Sequence, residues 1–122
     1  MKNFKQITLL LALLISSSLL QAQTGTNQTD EEAVIAVLQS YKDALQNLTT
    51  EGTFELFTED SKVFESGGVE GSYDYYIEHH LGPELGHFKS FTYTDYEVAV
   101  QVDLPHAFST ETYIYTIVLN PN

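Results

Sequence analysis

The sequence predicts an α+β domain, and three observations carry that prediction. Apolar residues recur at helical spacing early in the chain, they change to period two beyond Ser90, and glycines cluster between the two regimes. A first amphipathic helix of about four turns is expected, with the domain beginning near Thr29. Thr29 and Glu32 fit a capping box, Asp30, Glu31 and Glu32 place negative charge where a helix dipole favours it, and Val34, Val37, Leu38, Tyr41, Leu45 and Leu48 share one face. Phe54, Leu56 and Phe57 suit a short second helix over 53–57. A strand over 61–66, around Val63 and Phe64, is closed by a turn at Gly67, Gly68 and Gly71.

Ser72 is placed to cap a third helix over 73–81. That helix is expected to stop at Gly82-Pro83, because glycine ends a helix readily and proline cannot continue one. Leu85 and Phe88 fall on a short turn or helix. Beyond them Tyr96, Val98, Val100 and Val102 alternate with Glu97, Ala99, Gln101 and Asp103, while Phe91 and Tyr93 are out of phase. A bulge or bend near Thr94 and Asp95 would restore the register. Leu104-Pro105-His106 then connects to a last strand over 108–119, rich in Thr, Tyr, Ile and Val.

The N-terminus has a different character. Met1-Lys2-Asn3-Phe4-Lys5 is basic, an apolar run follows from Ile7 to Leu20, and small Ala22 stands where a signal peptidase cuts. The run is shorter than the roughly 20 apolar residues that span a bilayer. Residues 1–22 therefore read as a signal peptide, 23–29 as a flexible leader and 30–122 as the domain. An exported protein is expected, periplasmic or secreted, with no membrane attachment once the signal is removed.

The full chain carries a formal charge of −12; losing the two lysines of the signal and no carboxylate makes it −14, with three lysines left against seventeen acids and no arginine. Such a surface repels phosphate backbones and anionic lipid, which argues against nucleic-acid binding. The absence of cysteine excludes disulfides, a thiolate nucleophile and thiolate metal sites.

The order of elements, with Val37-Leu38-Gln39-Ser40-Tyr41 in the first helix and His79-His80-Leu81-Gly82-Pro83-Glu84-Leu85 after the third, resembles the nuclear transport factor 2-like superfamily. Within it the chain is similar to the SnoaL-like proteins of bacteria, over about residues 30–119. The resemblance implies three N-terminal helices packed on a curved antiparallel sheet, a cystatin-like cone with a pocket at its open end. Members of the family use that pocket for isomerisation, cyclisation, hydration or binding alone, so fold does not fix function. The family continues through further C-terminal strands, whereas this chain reaches Asn120-Pro121-Asn122 directly after a strand. An incomplete cone is expected, with a free strand edge and a homodimer formed through the sheet.

His80 shares a helical stripe with Tyr73, Ile77 and Leu81, whereas His79 is rotated away by about 100°. His80 is thus the candidate general acid or base, with Glu84 as the carboxylate that tunes it. A core or rim histidine with a satisfied hydrogen bond is the plain alternative. Tyr41 is the second catalytic candidate, because the resemblance implies a first-helix tyrosine like the oxyanion donor of the ketosteroid isomerase branch. The ligand-binding set is His79, His80, Tyr41, Tyr76 and Glu84, facing an unidentified small organic molecule. Grouping His80, Glu84 and His87 at i, i+4 and i+7 would suit zinc, but Gly82-Pro83 interrupts that face, so no metal and no cofactor are expected. The leading reading is an exported small-molecule-binding domain. The alternatives are a SnoaL-like or isomerase-type enzyme working by proton transfer, and a dimerising interaction module.

Overall fold

Helix α1 spans 28–46 in a computed structural model that describes residues 28–121. The expected signal peptide lies outside the described residues, as does the leader up to residue 27. Thr29 already sits within α1, so the capping box does not mark its start; the Gln28 side chain instead donates to Glu32 Oε1 at 3.3 Å, an i,i+4 contact that favours an earlier turn. Only the C-terminal end of α1 enters the core, through Leu45 with Tyr41 and Leu48 packed beside it. Ile35 and Val37 are exposed.

The expected second helix is a single 3-10 turn, Phe54–Leu56. Five residues are too few to offset the cost of nucleating an α-helix. Thr53 anchors the turn, its backbone and hydroxyl both donating to Thr50 O, and it is almost fully buried. Strands β1 (Val63–Glu65) and β2 (Gly68–Gly71) then pair antiparallel about a two-residue turn. Ser66 (φ 51°) and Gly67 (φ 81°) both adopt positive φ, as a type I′ turn requires.

Helix α2 (Tyr73–Tyr76) is capped by Ser72, whose hydroxyl accepts from Tyr75 N–H as expected. The helix does not stop at Gly82-Pro83. A π-helical turn, Ile77–Leu81, carries it into α3 (Gly82–Leu85). Gly82 N–H donates to Ile77 O, five residues back, and Pro83 falls at the first turn of α3, where a missing N–H does little harm. Glycine is needed for this: a Cβ on Gly82 would lie 2.4 Å from Ile77 O. Gly82→Ala is therefore expected to destabilise the domain by about 1–3 kcal/mol, measured as a lower urea midpoint, although alanine is the better helix former. An unchanged midpoint would show that the π turn relaxes freely.

The segment from α2 to α3 supplies most of the core: Tyr73, Tyr76, Ile77, Leu81 and Leu85 are buried with Leu45. Phe57 stacks on Tyr73 with ring centroids 3.6 Å apart, and Phe54 and Tyr41 meet Tyr73 edge-on.

The remaining chain is one long hairpin, β3 (Phe88–Asp103) paired antiparallel with β4 (His106–Leu119) through a turn with a cis Leu104–Pro105 bond. Its register shifts between Thr94 and Glu97, with Asp95 at φ 51°, which is the expected bulge. The bulge returns Phe91 and Tyr93 to the same face as Tyr96, Val98, Val100 and Val102. Tyr93 N–H donates to the Gln46 side chain at 3.1 Å, tying the hairpin to α1, and the Asn120 amide donates to Phe88 O at 3.2 Å, closing the open end of the hairpin.

The architecture is mixed α and β with antiparallel pairing, but it is not three helices on one curved sheet. Among the described residues there are two separate two-stranded sheets, β1-β2 and β3-β4. One long helix, a 3-10 turn and a π-interrupted helical segment replace the three expected helices. No helix among the described residues is long and apolar enough to cross a membrane.

Candidate functional site: an aromatic pocket beside a histidine–carboxylate cluster

The face of the β3-β4 hairpin turned toward the helices carries a strip of aromatic rings, partly buried on β3 and largely exposed on β4. Tyr93 meets Tyr113 at 90° with centroids 4.8 Å apart, Phe91 stacks against Tyr115 at 5.6 Å, and Tyr96 stacks against Tyr113 at 6.1 Å. Cross-strand register causes this, since Phe91 pairs with Ile117 and Tyr93 with Tyr115, so their rings share one side. The other end of the strip is held by charge: Lys42 Nζ lies 4.1 Å over the Tyr96 ring, and Tyr96 donates a short hydrogen bond to Glu111.

Between this strip and the helices lies a cavity of about 190 Å³. Tyr41 and Leu45 line it from α1, and Tyr76 and Leu81 from the helical segment. The strip supplies Phe88, Phe91, Tyr93, Tyr113, Tyr115 and Ile117, and Glu65 and Glu84 close one side. Burial, reinforced by neighbouring tyrosines, pushes the Tyr41 hydroxyl far up from its ordinary value. Burial and then the adjacent Glu65 carboxylate do the same to Tyr76. Both hydroxyls remain protonated donors at any physiological pH. A larger hollow of about 360 Å³ beside Phe54, Phe57 and Asp74 is lined by no histidine and shares no lining residue with the aromatic cavity.

His80 stands next to the aromatic cavity rather than among the residues that line it. The π turn and the β1-β2 hairpin bring three carboxylates onto its ring. Nδ1 lies 3.2 Å from Glu70 and 3.5 Å from Glu65, and Nε2 lies 3.3 Å from Glu84. The Tyr76 ring packs edge-on at 5.2 Å. Glu65 and Glu84 therefore touch both the cavity and the imidazole.

Of the residues expected at the site, Tyr41, Tyr76 and Glu84 line the cavity, and His80 contacts it through Glu65 and Glu84. His79 does not join them. It lies against the Tyr75 ring at 4.2 Å and near Glu78, and it is more exposed than His80, as the helical stripe implied. His87 is exposed on the turn after α3 and takes no part. Glu65 and Glu70 are the partners that sequence reasoning missed. The signal was present: both flank the Ser66-Gly67 turn, and period two places Glu65, its partner Gly68 and then Glu70 on one face.

With carboxylates at both ring nitrogens, the cluster favours the imidazolium, which donates from both. The hydrogen bond to Glu70 foremost holds the His80 pKa above its ordinary value; burial, the next largest effect, opposes it, and the charges of Glu84 and Glu65 add to the rise. Because the folded value exceeds the unfolded value of about 6.5, the stabilisation from this cluster is complete below pH 6.5. It is lost as pH rises through the folded value. Urea midpoints measured from pH 6 to pH 9 should fall across that window in the wild type and fall less in His80→Asn. Equal slopes in the two proteins would show that His80 does not titrate in this way.

The donor atoms of Glu65, Glu70 and His80 lie within 4.8 Å of one another. One imidazole with two carboxylates can hold a divalent cation, but the same atoms bind the imidazolium proton, so the two would compete.

No protein-family model, no curated protein and no solved structure matches the chain.

Proposed function

We propose that this is an exported domain that binds a small organic molecule in the aromatic cavity between α1, the helical segment and the β3-β4 hairpin. The observation that carries the reading is the cavity itself, open to solvent on one side, lined by rings from four elements and by two carboxylates. Small-molecule sites have this composition, an apolar and aromatic lining with a few polar groups that fix orientation.

A fragment screen by calorimetry and thermal shift tests this. Tyr115 is more than half exposed, so Tyr115→Ala removes a wall of the cavity with little loss of core. Hits should weaken by about fivefold to tenfold in that variant, in line with one aromatic contact of ~1 kcal/mol. Hits that bind Tyr115→Ala as tightly as wild type would place the site elsewhere.

A second reading, proton transfer to the bound molecule, is favoured by one observation. Glu65 and Glu84 each contact His80 and also face the cavity, so a proton has a continuous path from the imidazole to a ligand atom. Tyr41, a neutral donor lining the same cavity, would hold a developing oxyanion.

A further inference from the structure

We propose that the ligand of the aromatic cavity is a small organic cation, an amine or quaternary ammonium group with a short apolar substituent; this rests on reading the cavity as a binding site. Among the described residues the charged side chains that line it are Glu65 and Glu84, with no lysine or histidine beside them. Glu65, Glu70 and Glu84 surround one imidazole. Even with that imidazole protonated, three carboxylates against one cation leave the cluster two charges negative, and the excess borders the cavity.

The walls suit the same ligand. Tyr93 and Tyr113 stand at 90° to each other, 4.8 Å apart, so an occupant meets one ring face and one ring edge, and Phe91 with Tyr115 extends the surface. Ring faces carry the negative end of the aromatic quadrupole and attract cations. The protein already uses this strip in that way, since Lys42 Nζ sits 4.1 Å over Tyr96, whose ring stacks on Tyr113. An anionic ligand would meet two carboxylates and a chain of charge −12. A neutral ligand would leave the two excess negative charges of the cluster uncompensated. At about 190 Å³ the cavity takes a headgroup and a short chain, below the range of drug-sized sites.

The test is a pair of probes with one shape and different charge: choline, and 3,3-dimethylbutan-1-ol, in which carbon replaces the quaternary nitrogen. Titrations of the full chain, with a chelator present to keep metal from His80, should show choline binding at least tenfold tighter. The preference should shrink several-fold in Glu65→Gln/Glu84→Gln, with an unchanged fold by circular dichroism, and should weaken with added salt. Equal binding of the two probes overturns the cation proposal and leaves the cavity as a binding site. Binding of neither probe also overturns it, and the cavity reading falls as well only if the fragment screen is blank.

Discussion

Replacing Tyr73 by alanine is expected to cost about 3–5 kcal/mol of stability, the range for truncating a buried aromatic side chain. Tyr73 is 3% exposed and is the ring on which Phe54, Phe57 and Tyr41 converge. A small domain has about 5–15 kcal/mol in all, so this single change should leave a substantial unfolded population at room temperature. Tyr73→Phe separates packing from polarity. The buried hydroxyl has no well-formed hydrogen bond, so its removal should be neutral or stabilising, seen as an equal or higher melting temperature. A loss above ~1 kcal/mol in Tyr73→Phe would mean that Thr53 or Tyr41 bonds that hydroxyl after all.

Filling the cavity should have the largest effect on function. Ile117 is partly buried, lines the cavity from β4 and pairs with Phe91 across the hairpin. Ile117→Trp projects an indole into the space a ligand needs, while the position remains on a strand that tryptophan tolerates. Any ligand of the cavity should lose at least a hundredfold in affinity, with an unfolding midpoint near that of wild type. Affinity within threefold of wild type would show that the ligand sits outside the cavity. A cooperative transition in Ile117→Trp is the control that separates blocking from misfolding.

The long-range pattern of this fold was legible where one period runs through many residues. Helix α1 follows from its apolar stripe, and the bulge at Asp95 follows from the phase break between Tyr93 and Tyr96. Local stop signals misled instead. Gly82-Pro83 reads as a helix end, yet a π turn lets the proline fall at a new helical start, and glycine is there because Ile77 O approaches where a Cβ would be. The 53–57 segment holds the right apolar residues for a helix but is too short to nucleate one.

At the site, the preference for His80 over His79 came from helical geometry, which fixes direction within one element, whereas Tyr41 came from the family resemblance and Tyr76 from the abundance of tyrosine. Glu84 was legible as an i+4 neighbour of His80. Glu65 and Glu70 were not found, because they reach the imidazole through a hairpin whose placement depends on tertiary packing. The cavity walls have the same origin. The tyrosines of β3 and β4 were visible as a group, but only their cross-strand register shows that Phe91, Tyr93, Tyr113 and Tyr115 face one side.

The most direct test of a ligand site in the aromatic cavity is a protein-observed NMR titration with the strongest hit of the fragment screen, following the ring signals of labelled tyrosine and phenylalanine. Saturable shifts at Tyr41, Tyr93, Tyr113 and Tyr115, with little change at Tyr75 on the outer face, are the predicted result. Shifts that cluster on the outer face or along the distal hairpin around Phe108, with the cavity rings unmoved, would contradict it.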